Sequence, residues 1–197
     1  MTKAEDPSEI GQQFFYGEGR KKSYKRAFPY LLEAAYDGHP HCQHLVGYLY
    51  HYGLGVERNL ETAVFWFEYA ASNNDTEGLG GLALCYERGL GVEVNEKKAF
   101  SLYKKAAELG DAWSQCNLGV AYLEGTGTKQ NLTEGIKWLR KSARQGDAIA
   151  QYNLGIAYRD GEGVKKNILN ARIWLGKAVQ QGHKKAIAEL NKIHNSK

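Results

Sequence analysis

Glycine pairs recur along this chain at one fixed interval. Gly17 and Gly19, Gly53 and Gly55, Gly89 and Gly91, Gly125 and Gly127, and Gly161 and Gly163 follow one another in steps of 36 residues, with no insertion. Four further series keep the step: Gly11, Gly47, Ala83, Gly119, Gly155; Phe14, Tyr50, Tyr86, Tyr122, Tyr158; Tyr30, Trp66, Leu102, Trp138, Trp174; and Gly38, Asn74, Gly110, Gly146, Gly182. A strict period of this length marks an array of stacked units, each unable to bury its apolar face alone. The 23 glycines, set against only Pro7, Pro29 and Pro40, therefore read as glycine used at fixed structural positions rather than as disorder.

Each unit reads as two helices. Ala150, Leu154 and Tyr158 fall at i, i+4 and i+8 and give a first helix one apolar face. Glycine inside that helix, at Gly47, Gly119 and Gly155, costs ~1 kcal/mol relative to alanine. Close approach of a neighbouring helix is the compensation, and Ala83 is the smallest substitute. The Gly-x-Gly pair ends the first helix, because glycine takes positive φ without strain. Ser23, Asn59, Asn95, Asn131 and Asn167 then supply side-chain oxygens for the free N–H groups opening the second helix. Asp75, Asp111 and Asp147 do the same for the next first helix, and His39-Pro40 places proline at the first helical position. The pairs Ala34-Ala35, Ala70-Ala71, Ala106-Ala107, Ser142-Ala143 and Ala178-Val179 allow second helices to pack closely, with the aromatic at the Trp174 position filling the space between layers.

The expected domain is a single array over residues 8–197, preceded by a disordered 1–7. Its repeats run over about 8–38, 39–74, 75–110, 111–146 and 147–182, closed by a capping helix over 183–194. The formal charge is +4, with Arg20, Lys21, Lys22, Lys25 and Arg26 as its densest basic stretch. That is thinner than the stripe a nucleic-acid binder shows, so no nucleic-acid partner is expected. Cys42, Cys85 and Cys116 are odd in number and form no C-x-x-C pair. Reduced thiols and a cytoplasmic location are expected. The opening MTKAEDPSEI has no apolar h-region, and no run of 18 apolar residues offers a membrane span.

The recurring core VGYLYHYGLGV, LALCYERGLGV, LGVAYLEGTGT and LGIAYRDGEGV, seen in full in AIAQYNLGIAYRDGEGVKKNILNARIWLGKAVQQG, resembles the Sel1-like repeat family. The resemblance covers about residues 8–193. It implies an all-α fold of tetratricopeptide-like character, a right-handed α-α superhelix of about five 36-residue repeats. It also implies an adaptor that assembles protein complexes without catalysis or cofactor, here expected as a monomer. Some family relatives are secreted with a disulfide in each helix pair. This chain departs from them, since its three cysteines occupy three different repeat positions.

By analogy with tetratricopeptide arrays, variable first-helix positions line a concave groove. They are His41, His44, Tyr48, His51 and Tyr52; then Glu77, Gly80, Leu84, Glu87 and Arg88; then Trp113, Cys116, Val120, Leu123 and Glu124; then Ile149, Tyr152, Ile156, Arg159 and Asp160. An apolar strip rimmed by Glu87, Arg88, Glu124 and Arg159 suits a protein partner. Trp113, Tyr152 and Tyr48 are the expected anchors, since aromatic side chains dominate binding energy. A cytosolic inhibitor of one target, such as an immunity protein, would use the same face.

Sharper chemistry finds little footing. His39, His41, His44 and His51, with Cys42 nearby, suit transition-metal ligation by residue type. A metal-binding protein built on His41, His44 and His51 is the reading they allow. No carboxylate or thiolate stands at ligand spacing beside them in the chain, and no H-E-x-x-H occurs, so no metal site is expected. The Gly-x-Gly elements follow helices and precede no Lys-Ser/Thr, so they are not phosphate loops. No Ser-His-Asp set or carboxylate pair stands out, and no enzyme is expected.

Overall fold

The computed structural model describes residues 6–195, and among these it contains eleven helices and no strand. They alternate as hairpins: α1 (Pro7–Tyr16) with α2 (Tyr24–Tyr36), α3 (Pro40–Tyr52) with α4 (Leu60–Ser72), and α5 (Thr76–Arg88) with α6 (Glu96–Glu108). Then follow α7 (Ala112–Glu124) with α8 (Leu132–Gln145), α9 (Ala148–Asp160) with α10 (Ile168–Gln180), and the single α11 (Lys184–Asn195). The chain forms two compact units that meet in sequence within α6, one ending at Leu102 and the other beginning at Tyr103.

The expected caps are in place. Asn59, Asn95, Asn131 and Asn167 accept backbone N–H bonds of 2.9–3.1 Å from the first turns of α4, α6, α8 and α10. Asp75, Asp111 and Asp147 do so at 2.6–2.7 Å for α5, α7 and α9. His39 makes no side-chain cap bond, leaving Pro40 to set the start of α3. The aromatic series has a second use, because its carbonyls tie each hairpin shut. The N–H groups of Asn59, Asn95, Asn131 and Asn167 donate to the carbonyls of Tyr50, Tyr86, Tyr122 and Tyr158 at 2.8–3.0 Å.

Two boundaries differ from expectation. Residues 1–5 of the expected disordered 1–7 lie outside the described residues. Asp6 and Pro7, however, are ordered: the Asp6 side chain accepts from the Ser8 N–H at 2.9 Å, and Pro7 opens α1. An Asp-Pro pair is a helix start of the kind seen elsewhere in the chain, and it extends the first repeat backwards. At the other end α11 runs to Asn195.

In the first unit the core is built from Phe14, Leu31, Leu45, Val46 and Leu49, with Trp66 against it. In the second, Leu139 and Leu154 pack with Ile136, Ala143 and Ala150, and Leu175 packs with Ala171, Ala178 and Ala186. The mid-helix glycines lie where helices of one hairpin touch. A Cβ on Gly155 would stand 2.7 Å from Leu175 Cγ, and one on Gly47 would stand 2.7 Å from the Phe67 ring.

A clasp not anticipated from sequence joins successive repeats. In the second unit, Gln115 and Gln151 are buried and donate to the carbonyls of Ala107 and Ala143 at 3.1 and 3.2 Å. Their own oxygens accept from Gln145 and Gln181 at 2.9 Å. Gln43 repeats the arrangement in the first unit, donating to Ala35 O. A buried amide is tolerated only when so satisfied, and here it meets the open carbonyls near a helix C-terminus. The series was visible as glutamine at 36-residue spacing, broken by Leu79.

Candidate partner-binding face

Repeat position sets how far each first-helix side chain reaches outward. The position of His41, Glu77, Trp113 and Ile149 is open in most repeats: Trp113 is 37% exposed and Ile149 49%, and Glu77 is half-exposed. The position of Tyr52, Arg88, Glu124 and Asp160 is exposed throughout, and that of Tyr48, Leu84, Val120 and Ile156 is half-buried throughout.

Three of the sequence-selected residues are withdrawn from this face: Gly80, which has no side chain to reach outward and is buried in α5, Cys116 and His51. Cys116 is buried with Ile136, Ala143 and Ala150, and its burial beside Asp147 pushes the thiol above its ordinary pKa. It shares a repeat position with His44 and Tyr152, which points into the junction between first helices, and only a long side chain there reaches solvent. His51 is 8% exposed, wedged between the Tyr52 and Phe67 rings at 4.6 and 6.3 Å.

Burial lowers the pKa of His51 below its ordinary 6.5, with the Arg58 charge adding to the effect. Above pH 6.5 the ring is neutral in both folded and unfolded chains. Below it, the unfolded chain takes up a proton that the folded one resists, so this group costs stability as pH falls. His51→Leu, with the residue that Leu123 places at the equivalent position, is expected to lose less stability than wild type between pH 7 and pH 5. Urea midpoints at the two pH values measure this, and equal losses would refute it.

In the second unit, α7 and α9 bring Val120, Leu123, Tyr152 and Ile156 together as walls of one surface cavity of about 250 Å³, with Glu124 and Glu162 at its edge. Trp113 stands edge-on to Tyr103 at 5.6 Å, and Tyr152 stacks on His183 at 4.6 Å. Each anchor thus has one face packed, which holds it without hiding it. Arg159 is committed within the chain: its guanidinium binds Asp160 at 2.6 and 2.8 Å and also Glu189 of α11. In the first unit Tyr48 lies against Phe15 at 5.8 Å and Tyr52 at 4.6 Å. Leu84 lies half-buried on α5, while Arg88 faces Glu87 at 3.7 Å in an exposed pair worth roughly 0–1 kcal/mol.

The histidine group resolves differently from its sequence reading. His41 Nδ1 and His44 Nδ1 lie 3.3 and 3.2 Å from Glu77 Oε2. The carboxylate that seemed missing comes from α5, 36 residues beyond His41 at the same repeat position. His51 is not among the three. The two rings hold the Glu77 carboxyl well below the usual carboxylate range, and Glu77 in turn raises the His41 pKa. A second feature lies on the second helices and falls outside the first-helix positions chosen from sequence. Tyr36, Phe65 and Tyr69 are exposed on α2 and α4 and line a cavity of about 420 Å³ beside Trp66. The run Phe65-Trp66-Phe67 with Tyr69 was its signal.

Among the described residues no helix is long and apolar enough to cross a membrane. The three cysteines are free and buried. Among solved structures, a Sel1 repeat protein from Oxalobacter formigenes is 32% identical with a TM-score of 0.86, over 95% of this chain and 76% of that one. A protective antigen of uropathogenic Escherichia coli is 33% identical with a TM-score of 0.83, over 95% of this chain but 40% of its own. The chitin synthase regulator SKT5 of Saccharomyces cerevisiae is 40% identical over 62 residues, 32% of this chain and only 9% of the regulator. Sel1 repeats match residues 9–39, 40–75, 77–111, 114–147 and 148–183, so with five repeats along nearly its whole described length the chain belongs to the Sel1 repeat family.

Proposed function

We propose that this chain is a non-catalytic adaptor that holds a partner protein against its first-helix face. The observation that supports this most is the α7–α9 cavity, where Val120, Leu123, Tyr152 and Ile156 converge on the same two helices that carry the exposed Trp113 and Ile149. Val120, Leu123, Tyr152 and Ile156 each pack one side against the core, and what stays uncovered presents apolar and aromatic surface with an acidic rim. Such a patch is what a protein interface uses at its centre. The repeats supply the frame and the variable positions supply the choice of partner.

The test compares faces. Trp113→Ala and Ile149→Ala remove first-helix surface, and Tyr36→Ala and Phe65→Ala remove second-helix surface, all at exposed positions. Affinity capture from the source cell, followed by mass spectrometry and then titration, identifies and measures the partner. Trp113→Ala is expected to cost ~2 kcal/mol of binding, about 30-fold in Kd, with helicity unchanged. Binding that survives the first-helix changes and fails with the second-helix changes would refute the proposal. Stoichiometry then separates an adaptor, which holds two proteins, from an inhibitor, which holds and silences one.

A further inference from the structure

His41 and His44 stand one turn apart on α3, and Glu77 lies in the first turn of α5. One ligand atom from each of the three lies within 4.8 Å of the other two. The two nitrogen–oxygen separations are 3.3 and 3.2 Å. A straight N–H···O bond is ordinarily ~2.9–3.0 Å. His44 Nδ1 is buried and makes no hydrogen bond of proper geometry despite its nearness to the carboxylate. The two separations stand at or just beyond the long end of the ~2.7–3.2 Å range of such bonds, and they also match the ~3.3 Å edge of a tetrahedron drawn around an ion with ~2.0–2.1 Å bonds to nitrogen and oxygen.

The surroundings also suit a ligand set. The Tyr16 hydroxyl lies 3.0 Å from His41 Nε2, the nitrogen opposite the cluster. With Nδ1 on a metal, that Nε2–H donates to the phenol oxygen and fixes the ring, as second partners of metal-bound imidazoles do. The His44 ring stacks on Phe67 at 6.0 Å, tilted by 25°, and is flanked by Tyr48 at 6.4 Å; its side chain is 13% exposed. Glu77 is 52% exposed, so the cluster is open on one side.

We propose that His41 Nδ1, His44 Nδ1 and Glu77 Oε2 form a binding site for one divalent transition-metal ion of the zinc and cobalt class. Two imidazoles and one carboxylate select such ions over calcium and magnesium, which prefer all-oxygen shells. Three protein ligands leave a coordination position facing solvent. This inference concerns the chain alone and does not depend on the partner-binding reading.

Titration of the purified chain with Zn(II) and Co(II) tests it, with Co(II) also read through its ligand-field absorption. One equivalent is expected to bind, with no competition from Ca(II) or Mg(II). Glu77→Gln and His44→Ala are each expected to weaken binding at least ~10-fold, since even a residue behind the ligands is worth that much. His39→Ala changes an exposed histidine beside α3 that is outside the cluster, and is expected to bind as wild type does. Circular dichroism of each variant checks the fold, and Glu77→Gln, at a half-exposed position, keeps the test decisive if His44→Ala unfolds. A wild-type chain without saturable one-equivalent binding would mark the cluster as an ion pair only and overturn the proposal. Equal affinity in wild type and Glu77→Gln would overturn it too.

Discussion

Gly91→Ala is expected to destabilise the protein by about 3 kcal/mol or more, while Gly19→Ala, at the same repeat position, should cost about 1–2 kcal/mol. Both glycines have positive φ, 76° and 71°, so both variants carry the strain of a left-handed alanine. They differ in what the new methyl meets. At Gly91 it would stand 2.4 Å from the backbone carbon and oxygen of Leu60, whereas at Gly19 nothing lies within 4 Å. The loop after a first helix rests on the opening turn of the previous second helix. Gly55 against Tyr24 and Lys25, and Gly163 against Leu132, show the same contact. Gly19 belongs to the first repeat, and no earlier second helix lies beneath it among the described residues. Backbone cannot swing aside as a side-chain tip does, so the clash must move a helix start. Urea midpoints for the two variants measure the difference, and equal losses would show that glycine is needed there for its dihedral alone.

The second large effect is expected from Leu175→Ala, at about 4 kcal/mol, the upper part of the range for a buried leucine. Leu175 is fully buried and covers Gly155 of α9. A glycine offers no side chain to relax into the space, so the cavity stays open and the penalty stays high. Gly155→Ala is also expected to destabilise, because its Cβ would press 2.7 Å from Leu175 Cγ and 3.2 Å from Leu175 N. Combined, the two changes should fall short of their sum by about 1 kcal/mol or more, since the added methyl occupies part of the space that the leucine vacates. Ala83 stands at this position in another repeat, so a Cβ there is compatible with the fold when its partner allows it. Additive losses in a double-mutant cycle would show that Gly155 and Leu175 do not share one packing site.

The sites differed in how much of them could be read in advance. Trp113 and Ile149 are exposed at equivalent positions because a helix turns about 100° per residue, and one open position predicts its equivalents. His51, Cys116 and Gly80 were placed on the same face but lie inside. They stand near the edge of that face, where the approach of the neighbouring helix decides burial. Arg159 looked like a free rim charge because Glu189, its partner across to α11, is 30 residues away in the chain. The group of His41, His44 and Glu77 was not legible in the chain for a related reason. A search for ligands at short spacing passes over Glu77, although the 36-residue period had already placed it level with His41.

By itself the sequence determined the repeat, the helix pairs and nearly every cap, because these depend on contacts within one turn or one loop. It also determined which positions are frame, since a glycine kept inside a helix at a cost of ~1 kcal/mol implies a neighbour at close range. Only the tertiary structure decided which variable side chains reach solvent, which charges pair with one another, and that two imidazoles and a carboxylate converge. Those outcomes depend on distances of a few ångströms between helices, and such distances are set by the side chains packed between them rather than by spacing along the chain.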